Sequence, residues 1–157
     1  MDGVPKSGLG GWLILVGIGV VLAPFILSAT FFPIFIPLFT DGTMETITSS
    51  ENGIFHPLLG PLIYLEIVVN SALIILHFYL IYLFFWKKQI FPNFYILAML
   101  GGLSFLVIDA FLGKIVMPND PIFDPETTKN IIRSAVAAAI WVPYMRISKR
   151  VNATFVN

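Results

Sequence analysis

The chain has 157 residues, 57% of them hydrophobic and 11% charged, and its mean hydropathy is +0.89, whereas soluble chains are roughly half apolar and about a quarter charged. This composition predicts an integral membrane protein with one domain, 1–157. Nine basic and nine acidic side chains cancel, which gives no electrostatic case for a nucleic-acid partner, and the lack of cysteine excludes disulfides, thiolate metal sites and cysteine nucleophiles.

After a turn-rich start that carries Lys6, an apolar run opens at Trp12 and continues without a charge to Phe39. A secretory leader has a shorter apolar region and a small-residue cleavage site, so the run reads as a retained first helix over 11–32. Gly17 and Gly19 are expected to let a neighbouring helix approach, and Pro24 to kink the helix. Pro33 and Pro37 in FFPIFIPLF predict that the helix stops and that an aromatic, proline-spaced segment lies at the membrane interface. Residues 40–56 carry Asp41, Glu45 and Glu51 and no Lys or Arg, as an aqueous loop would.

The stretch from Pro57 to Trp86 is apolar for the length of a bilayer yet contains Glu66, Asn70 and His77. A charged residue at that depth costs at least about 2.5 kcal/mol. On a helix over 58–86, Asn70 lies about 40° and His77 about 20° from Glu66, so the three share one stripe, which should face protein. A third helix over 94–117 carries Asp109 and Lys114. Asp109 shares a face with Gly102 and Gly113, while Lys114 is turned about 140° from it and should snorkel to the nearby surface. The fourth helix, 125–147, has a clear start: Asp124 as N-cap, Pro125 in the first helical position and Glu126 facing the positive end of the dipole. Its membrane part begins near Ile131, with Arg133 just inside and the small residues Ala135, Ala137, Ala138 and Ala139 following. The basic tail from Arg146 is expected to leave the membrane.

Lys6, Lys87, Lys88, Arg146, Lys149 and Arg150 fall in one set of alternating connections and only Lys129 in the other. The positive-inside rule then gives an all-α bundle of four transmembrane helices with both termini cytoplasmic. In that topology Glu66 and Asp109 each lie about 12 Å below the outer boundary and Arg133 about 3 Å below it. The three are therefore expected to meet in the outer half of the membrane.

The run Ile140-Trp141-Val142-Pro143-Tyr144, with Ser148-Lys149-Arg150-Val151 and Thr154-Phe155, resembles the close of a family of bacterial multi-pass inner-membrane proteins catalogued as domain of unknown function 2569. Gly11-Trp12-Leu13, Pro24, Glu66, Asn70 and Asp109 are similar to it as well, while Met145 and Asn152 depart from it. The resemblance implies a bacterial inner-membrane location and no activity.

Glu66, Asn70, Asp109, Arg133 and His77 are the candidate binding cluster. They either hold helices together by hydrogen bonds, worth about 0.6 to 2 kcal/mol per contact, or form a site for a proton, ion or small amphiphile. No HExxH, CxxC, GxSxG or phosphate-cradling glycine loop is present, and two histidines support no metal centre, so no catalytic residue, cofactor or metal is expected. Two functions follow. One is a small accessory or lipid-binding protein whose partners are membrane lipid, a second copy or another membrane protein. The other is an ion- or proton-coupled transporter or amphiphile binder acting as an oligomer, since the inverted repeats of larger carriers are missing.

Overall fold

The computed structural model describes residues 7–49 and 56–157, so Lys6 and Glu51 lie outside the described residues. Its elements are α1 (Trp12–Thr40), α2 (Thr43–Thr48), α3 (Leu59–Phe85), α4 (Phe91–Val116), α5 (Pro125–Ile147) and α6 (Lys149–Thr154). Three of them, α1, α3 and α4, are long and apolar enough to cross a membrane. Their outer faces carry large exposed apolar side chains, among them Ile18, Phe25, Val68, Ile75 and Leu97. In water such a surface would be a liability; against acyl chains it costs nothing. The long helices pack in chain order, α1 on α3, α3 on α4 and α4 on α5.

α1 corrects the expected break at Pro33 within FFPIFIPLF. It runs for 29 residues straight through Pro24, Pro33 and Pro37, about 44 Å at the helical rise, which exceeds the roughly 30 Å hydrocarbon core. The reason is a comparison of losses. Each proline removes one backbone hydrogen bond, whereas unwinding a segment in apolar surroundings would strand every donor and acceptor along it. Threonine hydroxyls add bonds beside the prolines, from Thr30 to the Ile26 carbonyl at 3.0 Å and from Thr40 to the Ile36 carbonyl at 3.2 Å.

The connection expected to be a plain aqueous loop begins with α2. Asp41 Oδ1 accepts from the Thr43 N–H at 2.9 Å and starts it. Met44 then packs into a small cluster with Phe35, Leu59, Leu62, Ile63 and Val116. Gly60 permits this contact, because a Cβ there would lie 3.2 Å from Thr48 Cγ2.

α3 ends at Phe85 with its last carbonyls satisfied by a return of the chain: Lys87 N–H donates to Phe84 O at 3.1 Å and Lys88 N–H to Leu83 O at 2.9 Å. This closure requires a left-handed residue, and Lys87 supplies it with φ 52°, a position that normally favours glycine. α4 starts at Phe91 and not at 94, because Pro92 fits the first turn, where its missing N–H is harmless. α5 has the expected bounds. Asp124 accepts from the N–H groups of Glu126 at 2.8 Å and Thr127 at 3.0 Å. The Thr127 hydroxyl, then these backbone donors, hold the Asp124 carboxyl below its usual range.

The tail does not simply leave. Ser148 caps α6 by accepting from the Val151 N–H, and Val151, Thr154 and Phe155 are buried. Phe155 joins Leu13, Leu80, Phe84, Phe91 and Met145 in the main core. Thr154 Oγ1 accepts from Gly8 N–H at 3.0 Å, and Gln89 N–H donates to Asn157 O at 2.8 Å. The start of α1, the α3–α4 turn and the tail therefore close one end of the molecule together. The opposite end holds α2 and the α4–α5 connection.

Candidate functional site

Two cavities between the helices carry the polar residues. The upper one, of about 260 Å³, lies among α1, α3 and α4 and is lined by Thr30, Glu66, Asn70 and Asp109 amid Phe31, Phe35 and Phe105. Helix geometry explains the pairing on α3: residues four apart sit one above the other, and Asn70 Nδ2 donates to the Glu66 carbonyl at 2.8 Å. The amide nitrogen is thereby fixed and Oδ1 is left over. The Glu66 and Asp109 carboxyls line the same cavity, and Asp109 Oδ1 is buried with no hydrogen bond among the described residues. The polar lining thus offers oxygen atoms.

The lower cavity, of about 440 Å³, is bounded by α1, α3, α4 and α5 and lined in part by Gly19, Ala23, His77, Tyr95, Arg133 and Trp141. His77 Nδ1 lies 2.7 Å from the Leu73 carbonyl. A carbonyl only accepts, so Nδ1 carries the proton. In the neutral ring Nε2 is then the acceptor.

The expected single cluster is therefore split. The structure brings Glu66, Asn70 and Asp109 together but places Arg133 and His77 on the other cavity. The shared stripe on α3 exists, but His77 sits eleven residues along it, about 16 Å by helical rise. Arg133 projects among Tyr95, Met99 and Trp141 and not toward the carboxyls, so an expectation based on the depths of α-carbons was wrong about its long side chain. Lys114 does not face the carboxyls either, since its Nζ donates to the carbonyls of Pro118 at 2.7 Å and Asp120 at 2.8 Å. It reaches past its own helix end into the α4–α5 connection.

The glycine expectations divide in the same way. A Cβ on Gly17 would lie 2.9 Å from the Phe84 ring, whereas nothing lies within 4 Å of one on Gly19, Gly102 or Gly113. Close approach is needed at Gly17 alone of these. Sequence reasoning missed Tyr95 and Thr30 as cavity residues; a phenol or hydroxyl on an apolar helix has no spacing signature to mark it.

A family model described as "Protein of unknown function (DUF2569)" matches residues 6–156. No curated protein and no solved structure matches the chain. Because the match covers nearly the whole sequence, including the α6 tail that closes the core and the acids of the upper cavity, the chain belongs to this family of unknown function.

Proposed function

We propose that this protein is a small binding protein of the bacterial inner membrane, with four spans and both termini cytoplasmic, that holds a small cation, proton included, between Glu66 and Asp109. The fourth span is α5. It is less apolar than the others, but its polar residues fall mainly in the first two turns, and its remainder packs on α4. The basic residues gathered at the α6 end support a cytoplasmic placement of that end.

One observation carries the functional reading: two carboxyl groups line one phenylalanine-walled cavity, with Asp109 Oδ1 buried and without a hydrogen bond among the described residues. Two adjacent carboxylates in apolar surroundings repel, so their joint charge is reduced by a shared proton or by a bound cation. Asn70 Oδ1 and the Thr30 hydroxyl oxygen offer further oxygen donors for a hard cation. The cavity volume of about 260 Å³ falls below the roughly 300–1,000 Å³ of pockets for larger ligands, which favours an ion.

The test is the thermal midpoint of the purified protein in uncharged detergent, with sodium chloride exchanged for N-methylglucamine chloride at several pH values. The parent should respond to the exchange or to pH. The double variant Glu66→Gln/Asp109→Asn should keep its helical content, lose the cation response and keep only the acid-range pH dependence that other carboxyls such as Asp124 contribute. A parent indifferent to the cation exchange, with the same pH dependence as the double variant, would remove the binding role and leave the acids as packing residues.

The apolar exterior supports direct contact with membrane lipid. Coupled transport would require a homo-oligomer or another membrane-protein partner, because a single chain lacks the paired repeats that rock about a central site.

A further inference from the structure

The lower cavity is independent of the carboxyl pair and has the opposite chemistry. Three polar groups line it without an internal partner: among the described residues, the Arg133 guanidinium makes no hydrogen bond or ion pair, the Tyr95 hydroxyl makes no hydrogen bond, and His77 Nε2 is free because Nδ1 is engaged. Neither a glutamate nor an aspartate lines the space. Arg133 is exposed at the rim of the cavity, while Tyr95 and His77 are partly buried, and an unpaired phenol and imidazole inside the membrane are costly. The rest of the wall is hydrocarbon and indole, from Val20, Leu22, Ile26, Leu80, Ala137 and Trp141. At about 440 Å³ the space falls within the range that encloses an organic ligand.

From this arrangement we infer that the lower cavity is a binding site for a single-chain amphiphile with an oxyanion head, a carboxylate or a phosphate monoester. Arg133 is the anchor, since its planar fork pairs with two oxygens of one head. Tyr95 offers its hydroxyl along the same cavity, nearer the α3–α4 turn. His77 Nε2 accepts from a protonated head oxygen, which a phosphate monoester monoanion carries and a carboxylate does not. The chain lies among the aliphatic side chains of α1 and α3.

Access follows from the packing order. α1 and α5 stand at the two ends of the series α1, α3, α4, α5 and share no extended contact, although Trp12 and Trp141 meet edge to face at 6.3 Å. The cavity draws lining residues from both helices. Arg133 lies about 21 Å along α5 from its Ile147 end and His77 about 14 Å along α3 from the α3–α4 turn, so the head is drawn to the end of the cavity away from that turn and the chain extends toward Tyr95.

The experiment uses Trp141 as the reporter. In full-length protein carrying Trp12→Phe and Trp86→Phe, Trp141 is the remaining tryptophan of the three in the chain. In an uncharged maltoside detergent, 12-bromododecanoic acid should quench it saturably. Half-saturation should be at least about tenfold weaker for 12-bromododecanol and for Arg133→Gln, the size expected for loss of a charge-assisted head contact. Ala137→Leu, which fills the cavity and keeps the charge, should abolish saturation, and Lys149→Gln should not change it. Unbrominated dodecanoate or dodecyl phosphate should displace the probe, and the stronger competitor identifies the head. Equal quenching by acid and alcohol, or unchanged quenching in Arg133→Gln or Ala137→Leu protein that retains the parental melting curve, overturns the proposal. Displacement by inorganic phosphate alone, with both amphiphiles inert, also overturns it by making this a free-anion site. If Arg133→Gln fails to fold, the acid–alcohol comparison in the parent and the Ala137→Leu result still decide. None of these readings depends on Glu66 or Asp109.

Discussion

Phe155 stacks on Phe91 with ring centroids 4.5 Å apart and planes at 23°, joining the tail to the first turn of α4. Phe84 meets both rings, at 5.2 Å from Phe91 and 5.9 Å from Phe155. The tail therefore completes the core at one end of the molecule. Phe155→Ala should destabilise the protein by about 3–5 kcal/mol, the range for deleting a buried phenylalanine. Val156→Ala, at a side chain 64% exposed, should change little. Thermal melts of the two variants in the same detergent check the contrast; equal midpoints would show that α6 is not seated on the core.

Gly17 and Gly19 lie two residues apart on α1 but should respond with opposite signs. Gly17→Ala places a methyl 2.9 Å from the Phe84 ring, which is itself 2% exposed and cannot yield cheaply. The expected loss is about 1–3 kcal/mol. Gly19→Ala meets nothing within 4 Å and should gain up to about 1 kcal/mol from helix propensity. Melting curves of the two single variants give the signs directly.

The Asp124 cap carries a pH dependence whose direction follows from its donors. The Thr127 hydroxyl and the backbone N–H groups of Thr127 and Glu126 favour the carboxylate and hold its pKa below the ordinary value in the folded chain. Its stabilisation is fully present above the unfolded carboxylate range and is lost as pH falls through the folded value. Asp124→Ala should therefore lower the melting midpoint at neutral pH, and the gap to the parent should close in acid. A gap that is constant down to low pH would assign the effect to something other than the charged cap.

Single-cysteine labelling tests the proposed topology on a chain with no native cysteine. A cysteine at Ser49, beyond α2, should react with an impermeant maleimide on intact cells, and one at Gln89, in the α3–α4 turn, should react only after permeabilisation. Labelling of both from outside would deny that α3 spans the membrane, and the reverse pattern would invert the protein.

Much of this molecule is determined locally and was therefore legible in the sequence. A predominantly apolar run of bilayer length must satisfy its backbone internally, so α3, α4 and most of α1 follow from composition alone. The start of α5 follows from Asp124, Pro125 and Glu126, whose preferences act within one turn. The pairing of Glu66 with Asn70 follows from a spacing of four. What the sequence could not decide was every relation between segments distant in the chain. FFPIFIPLF reads as a break because a proline is judged by the bond it removes, but the whole segment stays helical because the alternative strands many more. Arg133 was expected beside the carboxyls because α-carbon depth can be counted, whereas the direction of a long side chain is set by the helices around it. The tail reads as a basic exit, yet Val151 and Phe155, one helical turn apart, close the core from 60 residues beyond Phe91. Local propensity and hydrophobic length set the helices; only their packing decided that the polar residues face two cavities of opposite charge and not one shared cluster.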